Sequence, residues 1–204
     1  MSRLLIKPDS KLGKIHNISP EKARWRYVGF DLYLLEEGQS IRQETYDREV
    51  ILVLVEGHAE IIADGKKFGV LGDRLDVFEK SPPHCVYVSS ETNWFVDPTT
   101  KCTLAVCSAP CTKKYEATQV GPTGIELTAR GKGTNTRYIN NIAMEDRDVA
   151  SSLLVTEVFT PSGHWSSYPP HRHDEDDFPN MTYLEETYYH RLNPTKGYGH
   201  QRVF

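Results

Sequence analysis

Turn-forming residues cut this chain into short segments about every eight to twelve residues, and the segments between them alternate in hydrophobicity. From Tyr27, "YVGFDLYLL" places Val28, Phe30, Leu32 and Leu34 on one face at a period of two. "EVILVLVEGHAEIIADGKKF" reads as a strand, a tight turn at Glu56-Gly57, a second strand and an Asp64-Gly65 hairpin. "GVLGDRLDVFEKSPPHCVYVSS" adds two short strands with a Gly72-Asp73 turn and a Pro82-Pro83 break, and "KCTLAVCSAP" adds another. Helix is confined to a short turn over Pro20 to Trp25. Segments this short, with this period, bury their apolar faces by stacking sheets or closing a barrel. The fold class is all-β.

At 204 residues the chain can bury one sizeable core or two modest ones. Around Thr112 to Thr136 it turns polar and Gly-rich ("GPTGIELTARGKGTNT"), which reads as a linker or an inter-domain strand. The β pattern resumes in "SSLLVTEVFTPSGHW", with a turn at Pro161 to Gly163. "EETYYHRLNPTKGYGHQRVF" reads as strand, turn, strand. Two units are therefore expected, 1–120 and 121–204.

The formal net charge is -4 with both signs interspersed, so no basic stripe argues for nucleic acid. The longest apolar run, Val50 to Val55, is a strand's length and spans no membrane. The start, "MSRLLIKPDSKLG", lacks the long apolar stretch of a signal peptide. Cys85, Cys102, Cys107 and Cys111 form no C-x-x-C pair and read as reduced thiols of a cytoplasmic protein.

The two β regions look like copies of one another. Aligning Gly38 with Gly163 sets Tyr46 opposite His171 and Arg48 opposite His173, and only the second copy carries histidines there. In an extended strand residues i and i+2 point the same way, so His171 and His173 can face one barrel interior. Two imidazoles plus a carboxylate suit a divalent transition metal such as Zn, Mn or Fe. The four acids Asp174 to Asp177 read as a solvated loop. Glu185 and Glu186 open the next strand with opposite facing, so at most one points inward. Glu186, Tyr188 and His190 share one face, while Glu185, Thr187 and Tyr189 share the other. Glu186 is the favoured carboxylate, with Glu185 as the alternative.

H-x-H followed by a strand-borne Glu and a Gly turn is similar to the cupin metal motif. More specifically, "TPSGHWSSYPPHRHD" with "LEETYYHRLNPTKGYGHQRVF" resembles the 5-deoxy-glucuronate isomerase family of myo-inositol catabolism. The resemblance runs in order along the chain and implies a bicupin, two cupin-type barrels, the first without metal ligands. It implies a metal-dependent aldose–ketose isomerisation of 5-deoxy-glucuronate to 5-dehydro-2-deoxy-gluconate. It also implies a divalent metal, zinc above manganese or iron, held by His171, His173 and Glu186 or Glu185. A sugar acid as the small-molecule partner and a homo-oligomer are implied too, with no nucleic acid and no membrane. His190, Tyr188 and Tyr189 are candidates for the general base, and Arg191 or Arg202 for the substrate carboxylate.

The family's site has a further histidine late in the second barrel, and this chain stops before it. Compared with the first copy, the second lacks roughly its last thirty residues or more, so the second barrel is expected to be incomplete. His84 sits about where that histidine would fall in the first copy and reads as structural. Two other functions stay open: a non-catalytic sugar-acid-binding cupin or inactive fragment, and a cupin Fe(II) oxygenase.

Overall fold

The short helix α1 (Pro20–Ala23) follows β1 (Gly13–Ile18) and reverses the chain into β2 (Gly29–Leu35). Ser19 caps it, Pro20 occupies its first turn, and Arg24 ends it in the left-handed conformation at φ 61°. The computed structural model describes residues 4–193 and 197–203. The strands that follow are β3 (Ile41–Glu44), β4 (Arg48–Glu56), β5 (Ala59–Ala63), β6 (Lys66–Leu71), β7 (Cys85–Val88), β8 (Asn93–Pro98), β9 (Cys102–Pro110), β10 (Thr118–Gly121), β11 (Leu127–Arg130), β12 (Arg137–Ala143) and β13 (Val155–Phe159).

Antiparallel pairing gathers these into a six-stranded sheet, β1-β2-β9-β4-β7-β10, a four-stranded sheet, β3-β8-β5-β6, and a three-stranded sheet, β11-β12-β13. The all-β architecture expected from the sequence is what forms. The turns follow their residues. Asp64 and Gly65 both take positive φ, 51° and 71°, as a two-residue hairpin between β5 and β6 requires. Gly72, at φ +116°, packs so close that an added Cβ would lie 2.2 Å from the Gly57 carbonyl oxygen.

The six-stranded sheet is covered on both faces. Leu52, Leu54, Val86, Leu104, Ile61 and Trp94 form one core, between it and the four-stranded sheet. Ile51, Val53, Tyr87, Ala105, Val120 and Ile142 belong to a second core on its other face, beneath the second half of the chain. This explains why residues 49–55 of β4 are all buried, without the alternation of a half-exposed strand. Each buried aliphatic side chain there contributes about 1.5–3 kcal/mol. It also corrects the single-face reading of β2. Phe30 and Leu32 do share the second core, but Tyr33 and Leu35 are buried in the first.

Two charged residues in this interior hold the second half of the chain. The fully buried Glu49 carboxylate accepts hydrogen bonds from the backbone N–H groups of Ser151, Ser152 and Leu153 at 2.6–2.9 Å, and from the Ser151 and Tyr87 hydroxyls. The Arg74 guanidinium, 3% exposed, donates to Val55 O and Ser81 O and clasps Glu157 of β13 through both terminal nitrogens. Asn140 of β12, opposite Glu157 in the ladder, donates to the same carboxylate.

Past Phe159 the pairing changes. Among the described residues no further ladder strand forms, and only an isolated bridge joins Asp177 to Met181. The expected strand carrying His171 and His173 is therefore not a sheet strand. Pro169 and Pro170 offer no N–H, and no neighbouring strand lies alongside among the described residues. The expected strand, turn and strand from Glu185 onward also form no ladder, and the centre of that turn, residues 194–196, lies outside the described residues. No helix among the described residues is long and apolar enough to cross a membrane.

Candidate functional site

The segment from Leu184 to Arg191 lies extended across the first half and keeps a period of two without belonging to a sheet. Its odd-numbered residues turn toward the first half. Glu185 accepts hydrogen bonds from three successive backbone N–H groups, Arg26 at 2.8 Å, Tyr27 at 2.7 Å and Val28 at 3.0 Å. Tyr189 packs against the second core and meets the His16 ring edge-on at 6.5 Å. Arg191 donates to Glu56 at 2.9 Å. The even-numbered residues face away: Glu186, Tyr188 and His190 are exposed. The opposite facing of Glu185 and Glu186, expected from the sequence, is realised by these contacts.

The cradle for Glu185 has a local cause. Helix α1 ends at Arg24, and β2 takes up its pairing only at Gly29, so the N–H groups of residues 26–28 are left over between the two elements. Arg48 braces this turn by donating to Tyr27 O, and to Ser108 Oγ and O on β9. Burial works against the Glu185 charge, but the N–H donors outweigh it and hold the carboxyl below the usual carboxylate range.

The two histidines stand as a pair, their ring centres 5.1 Å apart and their planes nearly perpendicular. His171 Nδ1 faces Pro169 O at 3.4 Å and His173 Nδ1 faces Thr182 O at 3.1 Å. A carbonyl only accepts, so Nδ1 is the nitrogen that donates in each ring, and Nε2 is the one that offers a lone pair in the neutral form. Imidazoles tethered through one nitrogen with the other left basic are the usual form of histidine metal ligands. A ring-centre spacing of about 5 Å also suits two imidazoles on one tetrahedral ion, with Zn–N of about 2.0–2.1 Å. The spacing by itself is compatible with two coordination positions. Among the described residues no group of three His, Cys, Asp or Glu side chains converges to hold a metal. His173 is tied to the carboxylate segment by the Leu184 N–H, which donates to His173 O at 3.0 Å.

On the outward face the Tyr188 ring stacks on His190, 6.0 Å between centres and 6° between planes. Tyr188 donates its hydroxyl to Glu186, and partial burial of the otherwise exposed side chain, together with that carboxylate, pushes its phenol well above the ordinary range. His190 Nε2 meets Gln201 Oε1 at 3.1 Å, which makes Nε2 the donor and leaves the lone pair on Nδ1. Arg202 is exposed. His84 is held at both ring nitrogens, by Asp73 at 2.8 Å and Gln119 at 3.2 Å, as a structural residue would be.

Sequence reasoning missed the cradle at residues 26–28 and the buried carboxylate of Glu49. The first consists of backbone groups and leaves no signature in residue type. The second had a faint one, an acid at the head of the apolar run "EVILVLV".

A family model described as the KduI/IolB family matches residues 4–204. A protein of Geobacillus kaustophilus strain HTA426 named "5-deoxy-glucuronate isomerase" is 46% identical over 206 residues, covering 100% of this chain and 74% of that protein. One of Bacillus subtilis strain 168 with the same name is 35% identical, covering 100% of this chain and 77% of that one. The crystal structure of an IolB-like protein from Salmonella typhimurium LT2 superposes with a TM-score of 0.92 at 43% identity, over 96% of this chain and 74% of that chain.

Proposed function

Since the chain belongs to the KduI/IolB family, we propose that it is an aldose–ketose isomerase converting 5-deoxy-glucuronate to 5-dehydro-2-deoxy-gluconate at a divalent metal. Its relatives' name and the "WSSYPPHRHD" and "LEETYYHRL" strings support the reaction class and the substrate. The observation that carries the metal is the His171–His173 pair, with both Nδ1 atoms tethered and both Nε2 atoms left as donors. Glu186 is the proposed carboxylate ligand, because Glu185 is held by the three N–H groups of residues 26–28, although Glu186 bonds Tyr188 here and does not converge with the two histidines. Zinc is the first assignment for two imidazoles and a carboxylate, with manganese or iron as the alternatives.

An ion held there supplies Lewis acidity to the substrate carbonyl and its neighbouring hydroxyl, lowering the cost of moving a proton or hydride between adjacent carbons. His190 is assigned as the general base, since it is exposed on the same face of the extended segment as Glu186. Tyr188 stays protonated and can donate to a developing oxyanion. Tyr189 is turned into the core and acts as an anchor. Arg191, ion-paired with Glu56, and Arg202 are the candidates for holding the substrate carboxylate. The protein is assigned to the cytoplasm as a homo-oligomer, which its four free thiols suit.

Turnover of 5-deoxy-glucuronate followed by NMR, under nitrogen and with zinc, manganese or iron added, tests the reaction. Isomerisation without oxygen is expected. Turnover only with oxygen consumption would establish the oxygenase reading, and calorimetric binding of the sugar acid without turnover the non-catalytic one. The double variant His171→Ala plus His173→Ala is expected to lose bound metal, and retained metal would refute the ligand assignment.

A further inference from the structure

We propose that the outer face of the four-stranded sheet is the surface on which a second copy of this chain docks. This rests on the reading of the protein as a homo-oligomer and does not involve the metal.

The inner face of that sheet belongs to the first core, through Ile61, Trp94 and Val96. Side chains alternate along a strand, so the neighbours of these residues look outward. The register sets the outward residues in cross-strand rows. One row runs Arg42, Phe95, Ile62, Lys67 across β3, β8, β5 and β6. The next runs Asp97, Glu60, Val70 across β8, β5 and β6, and Ser40 donates to Asp97 at 2.6 Å. Cations thus occupy one row and acids the next, around the apolar Phe95, Ile62 and Val70. Arg42 and Lys67 are exposed and Val70 is 62% exposed, while Phe95 and Ile62 are half-buried. The Arg42 guanidinium lies over the Phe95 ring, 5.6 Å from its centre.

The edges of this sheet are guarded against strand addition. β3 is only four residues long, and β6 carries Lys66, Lys67 and a register shift opposite Ile61 and Ile62. The face is the surface left for association. Charge then selects one arrangement of two identical faces. A two-fold axis along the strands would set Arg42 over the second copy's Lys67 and Asp97 over its Glu60. An axis lying between the two rows and parallel to them instead lays each cationic row over the other copy's acidic row, twice over. Arg42 then stands one strand spacing, about 4.8 Å, to the side of the second copy's Asp97, and Lys67 likewise beside its Glu60. Four strands of up to six residues make a face about 20 Å square. That is below the area of about 800 Å² that each partner buries in a standard interface, so the pair is concentration-dependent.

Sedimentation equilibrium of the 204-residue chain over a range of concentrations tests this. The mass should rise from one chain toward two. Arg42→Glu plus Lys67→Glu sets acid over acid and should raise the dissociation constant about a hundred-fold or more. Glu60→Lys plus Asp97→Lys sets cation over cation and should do the same. Mixed together, these two variants should pair one to one, because each supplies the charge that the other lacks. A wild-type chain that stays monomeric throughout would overturn both this proposal and the homo-oligomer. Wild-type association that neither variant weakens would overturn this face and leave the homo-oligomer standing. Two monomeric variants that do not pair when mixed would overturn the row-over-row arrangement. If Asp97→Lys fails to fold for want of its bond to Ser40, Glu60→Lys alone serves in the mixture, and absence of pairing there would equally overturn it.

Discussion

Removing the Glu49 carboxylate should release the second half of the chain from the six-stranded sheet. The group is wholly buried, and its charge is met by donors. Oε1 accepts from Ser152 N at 2.6 Å and Leu153 N at 2.9 Å, and Oε2 accepts from Ser151 N, Ser151 Oγ and Tyr87 OH at 2.8, 2.8 and 3.1 Å. Glu49→Ala strands these donors in the interior. A buried donor without a partner costs about 1–3 kcal/mol. Rotation of the two hydroxyls and partial relaxation of the loop reduce the sum to about 4–6 kcal/mol. Glu49→Gln behaves differently. Its oxygen can keep the Ser152 and Leu153 N–H groups and, at 3.1 Å, that of Ser151, while its amide can donate to the two hydroxyls, which accept as readily as they give. The loss is then mainly that of charge assistance, about 1–2 kcal/mol. Urea denaturation measures both. With a slope of about 2 kcal/mol per M, the alanine variant should melt about 2–3 M earlier and the glutamine variant by less than about 1 M. Equal losses in the two variants would refute the donor argument, because charge alone would then matter. A loss below about 1 kcal/mol in Glu49→Ala would mean that residues 151–153 are held by something else.

Two glycines should separate backbone strain from close packing. Gly65→Ala meets no atom within 4 Å and should cost about 1–2 kcal/mol for its left-handed conformation alone. Gly72→Ala adds a clash with the Gly57 carbonyl and should cost about 4 kcal/mol or more in thermal melts. Thiol titration of the native protein should find one fast cysteine. Burial pushes the Cys111 thiol up, but hydrogen bonds with Ser90 and Ser89 outweigh it and leave it lowered. Burial raises Cys102 and Cys107 to about 12 and pushes Cys85 well above its ordinary value, so these should react only on unfolding. Equal reaction rates at all four would contradict the packing described.

The hairpin at Asp64-Gly65, the turns at Gly57 and Gly72 and the short helix at Pro20 were legible because each is set by local backbone preference. So was the opposed facing of Glu185 and Glu186, which needs only an extended chain. The burial of both faces of β2 was not legible, since Tyr33 is an ambiguous residue until a second sheet covers it. The expected strand through His171 and His173 failed because a strand is defined by its neighbour, and a segment's own alternation says nothing about whether one lies beside it.

Sequence alone determined the periodicity, the turns and the residue types able to bind a metal, because these depend on chemistry within a few residues of chain. It favoured Glu186 as the metal carboxylate and kept its neighbour Glu185 as the alternative, without showing what either acid touches. Tertiary structure separated them. Three N–H groups left over between α1 and β2 come within hydrogen-bond reach of one of the two acids. Those groups lie almost 160 residues earlier in the chain than the acid they hold. Only the folding of the first half, and the laying of the Leu184–Arg191 segment across it, brings them together.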